Sequence, residues 1–202
     1  MRRGLLVILS GPSGSGKDSL LEELMRRDED VRVSVSLTTR PKRGWEIDGF
    51  HYYFVTKEFF QKKLDEDSML EYAQYGDSLY GTPKGPVDEL LKQGKTVILK
   101  IEVQGAEKIR ALYPDVLRIF LLPPSLSVLE NRLRLRETED EEDIQRRLSI
   151  AANEITRATE YDYIVVNNIL NYAVNDIAAI LQAERNRASR VKYLISEVLQ
   201  NA

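Results

Sequence analysis

The amino-acid sequence predicts a three-layer α/β fold, in which a parallel sheet lies between two layers of helices. Short apolar runs alternate along the chain with longer segments whose apolar residues recur at helical spacing. Several runs, such as residues 5–9, are apolar without interruption, which is typical of strands buried on both faces of a parallel sheet. The length of 202 residues suits one domain. A segment richer in β pattern, at about residues 31–82, indicates a lobe inserted into that domain.

The predicted elements follow one another in a regular order. Residues 5–9 form the first strand, and a helix begins at Lys17, because the leucines at positions 20, 21 and 24 share one face. Residues 31–37 alternate apolar with polar side chains and predict a half-exposed strand. Further strands are predicted at residues 52–55, 69–75, 96–103, 116–122 and 163–166. Further helices are predicted at 57–64, 87–92, 106–112 and 171–199. Within residues 125–160, helical sequence is predicted on either side of an acidic run.

The composition excludes several kinds of chemistry. The chain has no cysteine and one histidine, which excludes disulfides, cysteine-ligated metals, thiol nucleophiles and sites with several histidines. Lys and Arg total 29 against 32 Asp and Glu, so no basic excess indicates a nucleic-acid partner. No apolar run approaches the ~18–20 residues of a membrane span, and the apolar start is too brief for a signal peptide. We therefore expect a cytoplasmic protein without a membrane or nucleic-acid partner.

A glycine-rich loop follows the first strand and opens the first helix. Its residues match the pattern G-x-x-x-x-G-K, in which backbone N–H groups and the lysine surround phosphate groups. The N-terminus of the helix adds partial positive charge at the same place. The sequence therefore predicts a nucleotide-phosphate site made by Gly11, Pro12, Ser13, Gly14, Ser15, Gly16 and Lys17.

The residue after the lysine departs from this pattern. Serine or threonine ordinarily stands there and helps to hold Mg²⁺, whereas this chain has Asp18, followed by Ser19. Asp18 either points outward and favours the positive end of the helix, which is the simpler interpretation, or binds Mg²⁺ through water. Ser19 remains as the candidate hydroxyl for the metal.

A second polar cluster lies in the inserted segment. Arg40 and Arg43 stand where the chain leaves a strand, and Tyr52 and Tyr80 follow. Two guanidinium groups and two phenolic hydroxyls can surround one phosphate monoester. A solvated surface loop is an equally good interpretation of the arginines.

Glu71 stands within a strand pattern, and two interpretations of it are open. It lies on an exposed face, or its carboxylate accepts both donors of a guanine edge while Ser36 or Thr82 donates to the guanine oxygen. An adenine edge would leave the carboxylate unpaired. A buried polar group without a partner costs about 1–3 kcal/mol, so a pocket of the second kind discriminates between bases.

Together these motifs resemble the guanylate kinase family along nearly the whole chain. The resemblance implies a P-loop nucleoside monophosphate kinase that transfers the γ-phosphoryl group of ATP to GMP, and to dGMP, with Mg²⁺. It also implies a core at about 1–33, 83–125 and 160–202, a GMP-binding lobe of mixed β structure at about 34–82 and a helical lid at about 126–159. The motifs that carry it are the phosphate loop, residues 34–43, 49–55, 70–73 and 80–82, the Gln104-Gly105-Ala106 turn and the arginines near Arg136.

The resemblance also implies a role for each matching residue. Arginines on a closing lid would supply positive charge to the transferring group and exclude water. The phosphate loop, with Asp18 and Ser19, would bind ATP. GMP would be bound by Ser36, Arg40, Arg43, Tyr52, Glu71, Tyr80, Thr82 and Glu102, and catalysis would depend on Lys17, Arg40, Arg132, Arg136 and Arg147.

Three positions depart from the family pattern. Arg43-Gly44-Trp45-Glu46 replaces the usual Arg-x-Gly-Glu, Asp18 replaces a glycine or serine, and Lys100 stands where the family commonly has an acid. Lys100 leaves Mg²⁺ to Ser19, the phosphates and water. Two alternatives to the kinase stay open, namely a catalytically inactive module that binds a protein and a kinase of another phosphorylated small molecule. The sequence does not decide between a monomer and a homo-oligomer.

Overall fold

The computed structural model describes residues 4–135 and 141–200. Its strands are β1 (Leu5–Ser10), β2 (Val31–Val33), β3 (Leu37–Thr38), β4 (Tyr53–Phe54), β5 (Met69–Tyr75), β6 (Ser78–Pro83), β7 (Thr96–Lys100), β8 (Leu117–Leu122) and β9 (Tyr163–Val166). Its helices are α1 (Lys17–Arg27), α2 (Lys57–Asp65), α3 (Lys84–Lys92), α4 (Val103–Leu112), α5 (Leu126–Arg134), α6 (Glu141–Thr156), α7 (Leu170–Arg185), α8 (Ala188–Val191) and α9 (Tyr193–Gln200), with a 3₁₀ turn at Arg157–Glu160.

Five strands form a parallel sheet in the order β2-β7-β1-β8-β9. The central strand β1 is buried along its whole length, as the uninterrupted apolar run predicts. In the register of the sheet, Leu9 lies beside Lys100 of β7. The carboxyl ends of β1 and β7 therefore meet at one edge, which brings the loop after β1 close to Lys100.

Helices cover both faces of this sheet, which confirms the three layers. Val7 and Leu9 of β1 pack with apolar residues of α1 and α7 on one face. Leu6 and Ile8 point to the other face and pack with residues of α3 and α4. Successive side chains of a strand point to opposite faces, so one apolar run serves two cores.

A second sheet of four strands, in the order β4-β3-β6-β5, corresponds to the β-rich segment of the sequence. Residues 31–37, expected as one strand, form β2 in the parallel sheet and β3 in the second sheet. The alternation of apolar and polar residues runs without a break from β2 to Leu37, the first residue of β3, so the pattern does not reveal the change of sheet. The strand β6 was not predicted, since its glycine and proline are unfavourable in strands, yet it pairs with both β3 and β5.

Helices α5 and α6 pack against each other through Leu129, Leu133 and Ala151. They lie in the segment in which the sequence predicts two helices around an acidic run. In the part of the chain that the structure describes, no helix is both long and apolar enough to cross a membrane.

Candidate active site

The glycine-rich loop joins the buried end of β1 to the start of α1. Gly16, at the N-cap of α1, has a φ of 94°, which is a conformation that favours glycine. A Cβ atom there would lie 2.4 Å from Nδ2 of Asn167, so the position also lacks room for a side chain. Asn167, in turn, donates from Nδ2 to the carbonyl of Ser15 at 2.8 Å. The hydroxyl of Ser15 is buried without a hydrogen-bond partner among the described residues, as expected of a loop built to receive a ligand.

Lys17 folds back over this loop. Its Nζ donates to the carbonyl oxygen of Gly11 and, at 3.2 Å, to that of Pro12. Burial lowers the pKa of Lys17, and the charges of Glu102 and Glu154 oppose that shift. The ammonium group is thus held at the loop by neutral carbonyl groups, which a phosphate can replace as stronger acceptors.

Asp18 and Lys100, two of the departures from the family pattern, form an ion pair with each other. Lys100 Nζ donates to Asp18 Oδ1 at 2.6 Å, and 68% of the Asp18 side chain is exposed against 25% for Lys100. The outward orientation of Asp18 agrees with the simpler interpretation of its sequence position. Ser19, in the same turn, is exposed.

The side chains next to the loop offer few ligands for a magnesium ion. Among residues 4–135 and 141–200, no three His, Asp or Glu side chains are grouped so as to hold a metal. The Asp18 carboxylate faces an ammonium group, which leaves Ser19 as the hydroxyl next to the loop. The residues therefore suit a cation only when phosphate and water provide most of its ligands.

Arg40 is held by a carboxylate that the sequence analysis did not assign. Its Nη1 and Nη2 donate to the two oxygens of Glu46 at 2.8 and 2.7 Å, and the backbone N–H of Arg43 donates to Glu46 at 2.8 Å. The Glu46 side chain is 2% exposed. The hydrogen bonds from Arg40, together with that from the Arg43 backbone, outweigh burial and lower the pKa of Glu46 to about 2. The motif that ends at Glu46 contains this acid, but the sequence does not show which arginine the acid pairs with.

Two tyrosines complete the surroundings of Arg40. The rings of Tyr52 and Tyr80 lie 5.9 Å apart in an edge-to-face arrangement, and the guanidinium carbon of Arg40 lies 5.4 Å from the centre of the Tyr52 ring. Burial raises the pKa of Tyr52. Arg40, Tyr52 and Tyr80 are thus brought together as the sequence predicted, while Arg43 is exposed beside them.

Glu71 is buried, so the exposed-face interpretation is wrong. It lies on β5 opposite Thr82 of β6, and the Thr82 hydroxyl donates to Oε1 of Glu71 at 2.6 Å. Burial raises the pKa of the Glu71 carboxyl, and the Thr82 hydrogen bond opposes the shift. Ser36, also predicted, is partly buried just before β3, and its carbonyl accepts a hydrogen bond from the backbone of Tyr53.

Glu102 stands at the N-cap position of α4 and lies near an acid that the sequence did not single out. Glu154 of α6 is partly buried and lies close to Glu102. Burial, and then the contact with Glu102, raise the pKa of the Glu154 carboxyl to about 8, while Lys17 opposes the shift. An acid on an amphipathic helix is typical of a solvated face, so the local pattern did not single out Glu154.

The predicted arginines of α5 and α6 reach the phosphate loop. Arg132 donates to the carbonyl groups of Ser15, at 3.4 Å, and Asn167, at 3.0 Å. Arg147 donates to the hydroxyl of Ser13 at 3.3 Å. Arg136, the third predicted arginine, lies outside the described residues.

Comparison with known proteins agrees with this arrangement. The family model described as guanylate kinase matches residues 3–184. The guanylate kinase of Carboxydothermus hydrogenoformans is 45% identical over 195 residues, covering 96% of each chain, and that of Clostridioides difficile is 42% identical over 197 residues, covering 98% of this chain and 96% of the relative. The crystal structure of guanylate kinase from Anaplasma phagocytophilum superimposes with a TM-score of 0.77 at 31% identity and covers 94% of this chain and 90% of that one. The chain that carries this loop and this buried carboxylate therefore belongs to the guanylate kinase family.

Proposed function

We propose that this chain catalyses the reversible transfer of the γ-phosphoryl group of ATP to GMP, giving ADP and GDP. The observation that carries the proposal is the buried Glu71 carboxylate, held through one oxygen by Thr82. Guanine offers two adjacent donors on its pairing edge, which a carboxylate accepts together, whereas adenine does not. A carboxylate that is buried and already oriented is therefore a reader of guanine rather than of any purine.

ATP would bind at the loop between β1 and α1. The backbone N–H groups of the loop and the start of α1 attract phosphate. Lys17 would exchange the carbonyls of Gly11 and Pro12 for phosphate oxygens. When bound, Mg²⁺ neutralises charge on the transferring phosphates. The hydroxyl of Ser19 would be its ligand from the chain, and phosphates and water would be its other ligands.

The phosphate of GMP would lie among Arg40, Arg43, Tyr52 and Tyr80. The ion pair with Glu46 fixes the plane of the Arg40 guanidinium group, so its remaining N–H groups are oriented before the substrate arrives. The attacking atom is a phosphate oxygen of GMP, and the second pKa of a phosphate monoester is about 6. No side chain needs to act as a general base near neutral pH.

We assign the three parts of the molecule accordingly. The parallel sheet with its helices binds ATP, the second sheet binds the nucleoside monophosphate, and α5 and α6 form the lid. Arg132 and Arg147 would supply positive charge at the transferring group and, on closure, exclude the water that would otherwise hydrolyse ATP. Arg136 is proposed for the same role on its family position alone.

The test is ADP formation from ATP and Mg²⁺ with GMP, dGMP, AMP, CMP and UMP in separate reactions. We expect turnover with GMP and dGMP and little with AMP. Equal rates with AMP and GMP would contradict the guanine assignment, and no turnover with any of them would favour a module that binds protein. Lys17→Met should abolish turnover, while Lys95→Met, at the opposite end of β7 from Lys100, should leave it unchanged.

A further inference from the structure

Lys100 lies where the two proposed nucleotide sites meet. It ends β7 beside Leu9 of β1, close to the start of the phosphate loop. On the other side, its Nζ lies 5.5 Å from the centre of the Tyr52 ring. The guanidinium carbon of Arg40 lies 5.4 Å from the centre of the same ring. Three quarters of the Lys100 side chain is buried. A cation in this place faces the path along which a phosphoryl group would pass from ATP to GMP.

Asp18, the partner of Lys100, is an unusual residue for its position directly after the lysine of the phosphate loop. The loop pattern has serine or threonine after its lysine, with the hydroxyl directed at Mg²⁺. Here Asp18 occupies that position and accepts the hydrogen bond from Lys100 at 2.6 Å. The sequence therefore places a carboxylate, paired with an ammonium group, where the general loop pattern has a hydroxyl, and Ser19 follows as the candidate hydroxyl for the metal.

Charged and titratable groups from several elements surround Lys100. Asp18 comes from α1, Glu102 precedes α4, and Tyr52 precedes β4. Lys17 is the neighbouring cation. Burial tends to lower the pKa of Lys100, but Tyr52 and Asp18 outweigh it, so the net shift is upward. Lys100 is therefore a permanent cation at neutral pH.

We propose that Lys100 binds the ATP phosphates directly, taking them in place of Asp18, and so supplies from the chain part of the positive charge that faces the transferring phosphoryl group. The proposal rests on the proposed function. An ion pair with one largely exposed partner contributes little stability, whereas a polyphosphate presents several anionic oxygens. Exchange of Asp18 for phosphate is therefore favourable, and Asp18 competes with the phosphates for the ammonium group.

The test uses ATP binding measured by titration calorimetry, both in EDTA and in excess Mg²⁺. Lys100→Met and Asp18→Asn remove the same ion pair, so a merely structural pair would make the two variants change ATP affinity alike. We expect opposite effects in EDTA. Lys100→Met should weaken ATP binding at least about tenfold, and Asp18→Asn should tighten it, because a negative charge next to the phosphates is lost. Lys100→Arg should retain most of the affinity.

The chain offers a matched control at the other end of the same strand. Lys95 pairs with Asp30 at 2.6 Å, with side chains that are 27% and 60% exposed, against 25% and 68% for Lys100 and Asp18. Lys95→Met and Asp30→Asn should leave ATP affinity unchanged with and without Mg²⁺.

Unchanged ATP affinity of Lys100→Met in EDTA would overturn the proposal, and so would equal losses in Lys100→Met and Asp18→Asn. Should Lys100→Met fail to fold, as shown by circular dichroism, the comparison of wild type with Asp18→Asn and Lys100→Arg still decides, because weaker binding by Asp18→Asn contradicts the proposal. Turnover of GMP by the wild type tests the proposed function separately. If the wild type binds ATP but does not phosphorylate GMP, the proposed function is refuted. The effect of Lys100→Met on ATP affinity would still test the role of Lys100 in that case.

Discussion

Glu71 and Thr82 face each other across β5 and β6, and the Thr82 hydroxyl donates a hydrogen bond of 2.6 Å to Oε1 of Glu71. The second oxygen, Oε2, points toward Gly105 of α4, where a Cβ atom would approach it to 2.9 Å. One oxygen is thus engaged, and the space around the other is kept open by a residue without a side chain. Thr82 and Gly105 together set the direction of a carboxylate that is 7% exposed.

Glu71→Gln should raise the KM for GMP about 10- to 100-fold, because the amide presents a donor where guanine also has donors. The apparent affinity for ATP should stay the same, since the phosphate loop is untouched. Steady-state kinetics with each nucleotide varied in turn measures both. Glu66→Gln, an exposed carboxylate of the same lobe, is the control and should behave as wild type. If the KM for GMP is unchanged in Glu71→Gln, the carboxylate does not read guanine.

Gly105→Ala should weaken GMP binding through Glu71 alone. The new Cβ would press on the end of a side chain, so the carboxylate must turn away from its place opposite Thr82, while the backbone stays. We expect a higher KM for GMP with little change in melting temperature. Gly85→Ala in α3, where no atom lies within 4 Å of the new Cβ, should instead raise stability by about 0.4–1 kcal/mol and leave kinetics unchanged. Equal kinetics for the two variants would refute this positioning role.

Glu46→Gln should destabilise the fold at neutral pH and change its acid sensitivity. Removing one partner of a buried ion pair costs about 3–5 kcal/mol, since the Arg40 guanidinium would stay largely buried without its counter-ion. The pKa of Glu46 is lowered from 4.5 to about 2, so its contribution is complete above pH 4.5 and is lost as the pH falls toward 2.

Urea unfolding between pH 2.5 and 7 checks this prediction. The wild type should lose stability steeply below pH 4.5, whereas Glu46→Gln should start lower and fall less over the same range. A Glu46→Gln curve parallel to that of the wild type would show that Arg40 does not depend on this carboxylate.

Glu154→Gln should remove a loss of stability that the wild type shows between pH 4.5 and about 8. The pKa of Glu154 is raised from 4.5 to about 8 by burial and by Glu102. The folded chain therefore holds an extra proton between these values, and stability falls as the pH rises through them. The variant should be more stable than the wild type at pH 9 and similar to it at pH 4.5, as measured by thermal unfolding. Glu142→Gln changes an exposed acid of the same helix and should show the same dependence of stability on pH as the wild type. If Glu154→Gln also shows the wild-type dependence, the raised pKa does not belong to Glu154.

The sequence by itself determined the class of fold, the family and the position of the phosphate loop. A continuous apolar run identifies β1 because burial on both faces leaves no polar position. The loop is recognisable because its glycines, its lysine and the start of α1 act within a few consecutive residues. The predicted family is confirmed by the match over residues 3–184. Each of these features depends on neighbours along the chain, which a sequence displays directly.

Only the tertiary structure decided which polar residues are paired. Asp18 and Lys100 are 82 positions apart, and their contact depends on β7 lying beside β1. Glu71 is buried because β5 pairs with a strand, β6, that its own composition does not predict. Glu154 looks like a surface acid until α6 brings it to Glu102. Strand order and helix packing bring distant residues together, and the charge and protonation of a side chain follow from those neighbours rather than from its place in the sequence.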